Sequence, residues 1–527
     1  IERTRLDNIK VMFFVGINDG NVPKKSDSRS VLSESDREYL EDKGIVMSAS
    51  VREKAFTQRF YLYLIMTKSA EKLYMSYAVK NSEGAALMPS YIIRSMRKMF
   101  SHCLKLSYKD TAQQNSYVTI PRATNSFDNT EIVANVDEDI IDSLTGGRLV
   151  GSVTSFENFA ECPLRYYLRY GVDLKEREEF TFSPVNFGVV LHAVIREVCD
   201  EIKKNGESYY LISEEKRREM VKRSVAAITD IYQNSILKDS SRNSFMIKRM
   251  EDLADRTVWA MGEQLKCGDF VPFVFEHKFN MEVGDGDRKQ LMSGTIDRVD
   301  ICENGTDVYV RIIDYKTGKK DFNIVKTYYG IDIQLMVYME AAMKLVAKMR
   351  PGKNVIPAGV FYYNISDPIV SATTESAEEI EDKIKGELRL KGMVNSDKDI
   401  AEKMDNTGGT SLNIPVSRKA DGGFDSRRSK VMNTEQFNML GRFVDVRAVD
   451  TADRIAGGDI RRSPYKDGQF SSCDRCPYGA VCGFSVDLPG CNYRKLKKFD
   501  DEVLWNNIKE GVDENGKKMD TGAEERD

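Results

Sequence analysis

The stretch 294-GTIDRVDICENGTDVYVRIIDYKTG-318 decides the fold of this 527-residue chain. Apolar and β-branched residues flank a polar ENGTD turn, the pattern of two strands joined as a hairpin, and the spacing predicts strands over 290–302 and 308–315. Successive strand residues face opposite ways, so Asp314 and Lys316 project to one side and the hairpin can bring Asp297 beside them. Two carboxylates on one face can hold Mg²⁺ or Mn²⁺ through oxygen and leave positions for water and phosphate. Lys316 would then position a nucleophile or offset charge building on phosphorus. The Tyr315 backbone carbonyl is a further hard ligand. A plainer reading makes Asp297 and Asp314 turn acids balanced by Arg298 and Lys316. Against it, Asp314 closes the apolar run IIDYK, where an uncompensated carboxylate is costly. Asp300 is assigned as a structural partner of Arg298.

Working outward, His192 lies in the apolar helix-like run GVVLHAVIREV and is one of three histidines in the chain. It is read either as a core residue or as facing the metal. Gln334 and Tyr338 of QLMVY fall at i and i+4, one helix face, where they would line the site and hold phosphate or base edges. Glu276 in FVFEHKF is a weaker candidate for a ligand or an orienting group. The run CDRCPYGAVC supplies Cys473, Cys476 and Cys482, most of a tetrahedral zinc site or an iron–sulfur cluster. Spacing leaves the metal open, and leaves Cys162 and Cys491 as alternative fourth ligands. Cys103, Cys199, Cys267 and Cys302 are expected to be free thiols.

A net charge of −4 and a pI near 5.8 rule out a simple basic coat for nucleic acid, so DNA would need local basic surface and bridging cations. No apolar run approaches a membrane span, and nine scattered cysteines do not make a disulfide scaffold. These features predict a cytoplasmic α/β protein without membrane association. The opening IERTRLDNIK carries no signal peptide, and the missing initiator methionine suggests a fragment of a longer protein. Residues 1–105 read as α/β, with strands over 10–17 and 72–77 and helices over 33–43, 51–69 and 90–100. A polar linker follows over 106–150. Beyond it, helices are expected over 187–203, 214–237, 332–348, 375–390 and 434–456, and strands over 273–283 and 355–364. Residues 395–433 read as mobile, and the acidic tail within 496–527 as a partly disordered extension.

Six runs taken together, SVTSFENFAECPLRYYLRYG, GVVLHAVIREV, GTIDRVD, IIDYKTG, QLMVY and SPY…CDRCPYGAVCGF, resemble the RecB-type nuclease family, most closely its AddB-type subunits of bacterial AddAB helicase–nucleases. The resemblance covers roughly residues 150–490. It implies a PD-(D/E)XK domain over 151–495, a mixed central sheet flanked by helices. It also implies Mg²⁺-dependent phosphodiester cleavage by Asp297, Asp314 and Lys316 with His192 beside the metal. Cys162, Cys473, Cys476 and Cys482 then look like ligands of a [4Fe-4S] cluster stapling that domain. FFVGINDGNVPKK and FYLYLIMTKSAEKLYMSY resemble helicase-core segments, which makes 1–105 a partial, inactivated helicase-like domain. Lys68 stands where a working helicase has a γ-phosphate arginine, and lysine lacks the bidentate fork. No G-x-x-x-x-G-K-[ST] run occurs in the sequence. The implied setting is double-strand break resection, on single-stranded DNA or duplex ends, beside an AddA-like helicase–nuclease subunit. The alternatives are a DNA-binding scaffold that does not cut and a stand-alone exonuclease like the iron–sulfur nucleases of CRISPR systems.

Overall fold

The computed structural model describes residues 9–24, 33–45, 49–80, 86–101, 135–137, 139–140, 150–175, 184–231, 241–283, 290–370, 376–486 and 491–524. The chain divides into two units, residues 1–124 and 125–527. In the first, β1 (Ile9–Phe14) is followed by α1 (Glu34–Asp42), α2 (Val51–Met66), β2 (Ser69–Met75) and α3 (Tyr91–Met99). β1 and β2 pair in parallel. Ser50 and Glu53 form a reciprocal capping box that starts α2. Ile17, Val22, Leu62 and Ile92 make a small core. Lys68 lies exposed between α2 and β2. Most of 106–150, including Cys103 just before it, lies outside the described residues.

The second unit is built on a seven-stranded mixed sheet. Its elements in order are β3 (Val150–Ser152), α4 (Val153–Glu161), α5 (Pro163–Tyr166) continued by a π-helical turn (Tyr167–Gly171), α6 (Pro184–Lys204), α7 (Glu214–Ile231), α8 (Ser241–Lys266), β4 (Val271–Val283), β5 (Gln290–Asn304) and β6 (Asp307–Lys316). Then come α9 (Ile324–Tyr328), α10 (Gln334–Met349), β7 (Asn354–Asn364), α11 (Ala377–Glu387), β8 (Lys391–Asn395), α12 (Lys398–Met404), β9 (Val431–Met432) and α13 (Thr434–Ala456). Three short strands, β10 (Tyr465–Asp467), β11 (Phe470–Ser471) and β12 (Arg494–Lys495), form a separate sheet around α14 (Gly479–Cys482), and α15 (Asp501–Glu524) follows.

β5 organises the large sheet. One edge pairs along its length with antiparallel β4. The other is shared: Leu291–Ser293 pair with β3 in parallel, and Arg298–Asn304 pair with β6 antiparallel. The residues between, 294–297, have no ladder partner on that edge, so the sheet forks there. β6 leaves β5 after the Arg298↔Ile313 pair and stays with β7 to Lys316↔Asn364.

Alternation along β6 sorts the two cores. Tyr309, Ile313 and Tyr315 face the core built with α6, α7 and α8. Val308, Val310 and Ile312 face the core built with α4, α10, α13 and α15. Beneath the first face, Arg298 Nε and Nη2 donate to the two oxygens of Asp300 at 2.6 Å each, and Arg311 Nε adds a bond at 2.8 Å. Asp300 is therefore the structural partner expected for Arg298. Burial opposes charge here, so the bidentate geometry and the second arginine are what make the triad tolerable.

Two expectations fail. Residues 395–433, read as mobile from their Gly, Ser and Asp content, are ordered. Ile414 and Val416 are buried in the first core. The Asp405 carboxylate accepts from Thr407 N at 2.9 Å and from Ser411 and Asn413 side chains at 2.5 and 3.1 Å. Side-chain bonds to the backbone replace regular structure there. The 496–527 extension contains a helix, α15, because Leu504 and Ile508 give it an apolar stripe buried against the second core.

Candidate active site

The fork between β5 and β6 sets the site. Asp297 lies just past the last β5–β6 pair, and Asp314 just past it on the other strand. Ile296 and Val299, three apart, both enter the second core, so alternation breaks at Asp297. This break re-aims the carboxylate into the fork. Asp297 Oδ2 accepts from the Tyr315 N–H at 2.7 Å, replacing the ladder bond lost there. On β4, Glu276 adopts φ 47°, a left-handed backbone that costs a non-glycine residue about 1–3 kcal/mol.

The three groups His192, Glu276 and Asp297 present ligand atoms all within 4.8 Å of one another. His192 Nδ1 stands 3.5 Å from Asp297 Oδ2 and 3.8 Å from Glu276 Oε1. Burial works against charge on His192, but hydrogen bonds from the two carboxylates outweigh it and push its pKa up to about 10. α6 delivers this histidine to the first face of the sheet, where its ring meets Tyr315 edge-on at 5.9 Å.

Asp314 and Lys316 face the opposite core. Burial, reinforced by the neighbouring Asp297 charge, pushes the Asp314 pKa up to about 6. Lys316 Nζ stands 2.5 Å from Asp314 Oδ2. That oxygen is buried and has no directed hydrogen bond, so its contact with Lys316 is an ion pair by distance alone. Gln334 bridges the two residues, donating from Nε2 to Asp314 Oδ1 at 3.1 Å and accepting from Lys316 Nζ at 3.0 Å. The same amide nitrogen donates to Tyr338 OH at 3.0 Å. Gln334 and Tyr338 are buried, so they hold Asp314 and Lys316 in place and do not present a surface to a strand. Gly294 makes room for this: a Cβ there would sit 2.7 Å from Phe279 and 3.0 Å from Tyr338.

Two contributors were missed or undervalued in the sequence. Glu276 is a full member of the carboxylate set. Glu157 of α4 accepts from the N–H groups of Ile333 and Gln334 at 2.9 and 3.0 Å, supplying the cap that Ile333 does not give α10. Burial, opposed by Lys320, pushes its pKa up to about 7. An acid inside the apolar run SFENF was the available signal.

The fourth-cysteine question has a geometric answer. One small cavity is lined by Cys162, Cys473, Cys476 and Cys482 together with Leu164, Leu168 and Phe484. Cys491 is buried but does not line it. Burial and the neighbouring thiols raise the pKa of Cys473 and Cys482. Cys199 and Cys302 are buried in the first core and free.

The fork thus joins an imidazole, three carboxylates and a lysine beside a strand end, a set suited to holding a hard cation against a phosphate. Among the described residues no helix is long and apolar enough to cross a membrane. A family model for the PD-(D/E)XK nuclease superfamily matches residues 151–483. The chain is 31% identical over 577 aligned residues to the B subunit of the ATP-dependent helicase/deoxyribonuclease of Lachnoclostridium phytofermentans, taking in 100% of this chain and 49% of the relative. To the protein of the same name from Clostridium acetobutylicum it is 30% identical, over 98% of this chain and 49% of the relative. To that of Caldanaerobacter subterraneus it is 31% identical, over 100% and 50%. The chain spans about half the length of the curated relatives it matches.

Proposed function

Because this chain belongs to the PD-(D/E)XK nuclease superfamily, we propose that it carries the nuclease site of a helicase–nuclease subunit and hydrolyses phosphodiesters of single-stranded DNA with a divalent cation. The observation that carries this is the convergence of His192, Glu276, Asp297 and Asp314 at the fork, with one Asp314 oxygen buried and without a directed donor. His192, Glu276, Asp297 and Asp314 would hold the ion, with the Tyr315 carbonyl as a further candidate. When bound, Mg²⁺ or Mn²⁺ supplies a polarised water and neutralises phosphate charge. The imidazole among the carboxylates widens the site toward Mn²⁺.

The chain's own residues do the rest. Gln334 holds the Lys316 ammonium at the mouth, where it can contact a phosphate oxygen and offset charge in the transition state. Glu157 fixes the first turn of α10 and so the angle of Gln334. Asp297, tied to the Tyr315 N–H, keeps β6 from closing the fork.

Cys162, Cys473, Cys476 and Cys482 would bind a [4Fe-4S] cluster that ties α5 to the region after α13. Tetrahedral zinc brings its thiolates to roughly 3.8 Å of one another, given zinc–sulfur bonds of about 2.3 Å. No three of these sulfurs lie within 4.8 Å, a spread better suited to a cluster whose ligands sit on separate irons. The relatives' names support the wider setting: cytoplasmic resection of DNA ends beside an AddA-like subunit, with residues 1–105 as a helicase-like remnant that does not hydrolyse ATP.

The test is cleavage of an end-labelled single-stranded oligonucleotide by the purified chain with Mg²⁺. Parent protein should cut, and Asp314→Ala and Lys316→Ala should not. Equal cutting by all three would overturn the proposal.

A further inference from the structure

We infer that the chain holds a second contact for single-stranded DNA, away from the fork: a basic, aromatic pocket beside the cysteine cavity that takes one stacked base and its phosphate. This rests on the nuclease reading. The pocket has a volume of about 380 Å³, within the roughly 300–1,000 Å³ of small-ligand sites. Arg169, Tyr170, Asp173, Lys175 and Tyr478 contribute to its lining.

Four observations converge on it. The Tyr170 ring is a fixed platform: Asn158 Nδ2 donates to its hydroxyl at 3.3 Å and Tyr166 packs against it at 5.2 Å. The Arg169 guanidinium lies 5.4 Å over the same ring, and stacking combined with an arginine cation is how strands are gripped without sequence readout. Lys175 pairs with Asp173 at 2.7 Å, and both side chains are well exposed, so a phosphate can compete for the lysine at little cost.

The backbone is unusual at the same place. Tyr167–Gly171 is a π-helical turn and Asp173 has φ 52°, and both kinds of irregularity gather at functional sites. Tyr478, which follows Cys476 by two residues, lines both this pocket and the cysteine cavity, and its hydroxyl donates to Leu174 O at 2.9 Å. A strand held here would therefore rest on the wall that the cysteines fix.

The test is fluorescence anisotropy of a labelled 15-nucleotide single strand on the full chain in EDTA, with Mg²⁺ cleavage by the parent chain assayed in parallel. Tyr170→Ala should weaken binding roughly 5- to 100-fold, the range for losing one base–aromatic stack. Tyr170→Phe should bind like the parent. Lys175→Gln should reduce the slope of log affinity against log salt by about 0.7, one phosphate contact on a single strand. A free deoxynucleoside monophosphate should compete poorly.

Parent-like affinity for Tyr170→Ala together with an unchanged salt slope for Lys175→Gln overturns the inference. So does equal weakening by Tyr170→Phe, which would mark the hydroxyl's packing role, or full competition by the monophosphate. If Tyr170→Ala does not fold, the Lys175→Gln slope decides. A chain that cuts but ignores these substitutions loses only this pocket. A chain that binds through the pocket but never cuts loses the nuclease reading instead.

Discussion

Replacing Asp314 with asparagine should stabilise the chain while abolishing its chemistry. Burial and the Asp297 charge raise the Asp314 pKa from an ordinary 3.8 to about 6. At about 1.36 kcal/mol per pH unit, that places ~3 kcal/mol against the ionised carboxylate at pH 7. Because the folded-state pKa is raised, this group favours the fold below about pH 4, and that contribution is lost as pH rises through about 6. Asparagine keeps an oxygen for Gln334 Nε2 but leaves Lys316 without its counter-ion, which returns ~1 kcal/mol of the gain. The net expectation is about 1–2 kcal/mol of added stability at pH 7 in EDTA. Urea unfolding followed by tryptophan fluorescence reads it well, since Trp259 packs on the first core and Trp505 on the second. Between pH 4 and 7 the parent should lose stability that the variant keeps. Saturating Mn²⁺ should restore the parent, by ~2.7 kcal/mol at a hundredfold excess over Kd, and leave the variant unmoved. An Asp314→Asn variant less stable than the parent at pH 7 in EDTA would refute this electrostatic account.

Further outcomes follow from the same geometry. Glu276→Gly should raise stability by up to ~1 kcal/mol, because glycine accepts φ 47° freely, while Mn²⁺ titration shows weaker binding. Mn²⁺ binding at pH 7 to 8 should release protons as the ion displaces the charge on His192, whose pKa is pushed up to about 10; calorimetry in buffers of different ionisation heat would detect it. Asp300→Ala should cost about 3–5 kcal/mol by leaving two buried arginines unpaired, seen as loss of soluble protein, in contrast to Asp297→Ala, which should fold. Cys162→Ser should abolish visible absorption near roughly 400 nm in anaerobically purified protein, whereas Cys491→Ser should retain it.

The sequence was most legible where a short period governs the chain. Alternation and the ENGTD turn sufficed to set Asp297 opposite Asp314 and to put Lys316 on the Asp314 side, and the i, i+4 spacing put Gln334 next to Tyr338. It was least legible where the period breaks. The irregularity at Asp297 and the left-handed Glu276 arise from strand pairing across distant segments, so Glu276 was weighed too lightly. α8 went unread although Met250, Ala254, Val258, Met261 and Leu265 carry a helical stripe, because charged residues fill the rest of its surface. In 395–433 the glycines and serines suggested mobility, but the buried Asp405 carboxylate organises the loop through bonds that no periodicity reveals.

The most direct measurement is diffraction from crystals of the full chain soaked in Mn²⁺, recorded at the manganese absorption edge. A single anomalous peak within bonding distance of His192, Asp297 and an Asp314 oxygen is the expected result. A peak elsewhere, or an ion that ignores Asp314, would contradict the central assignment.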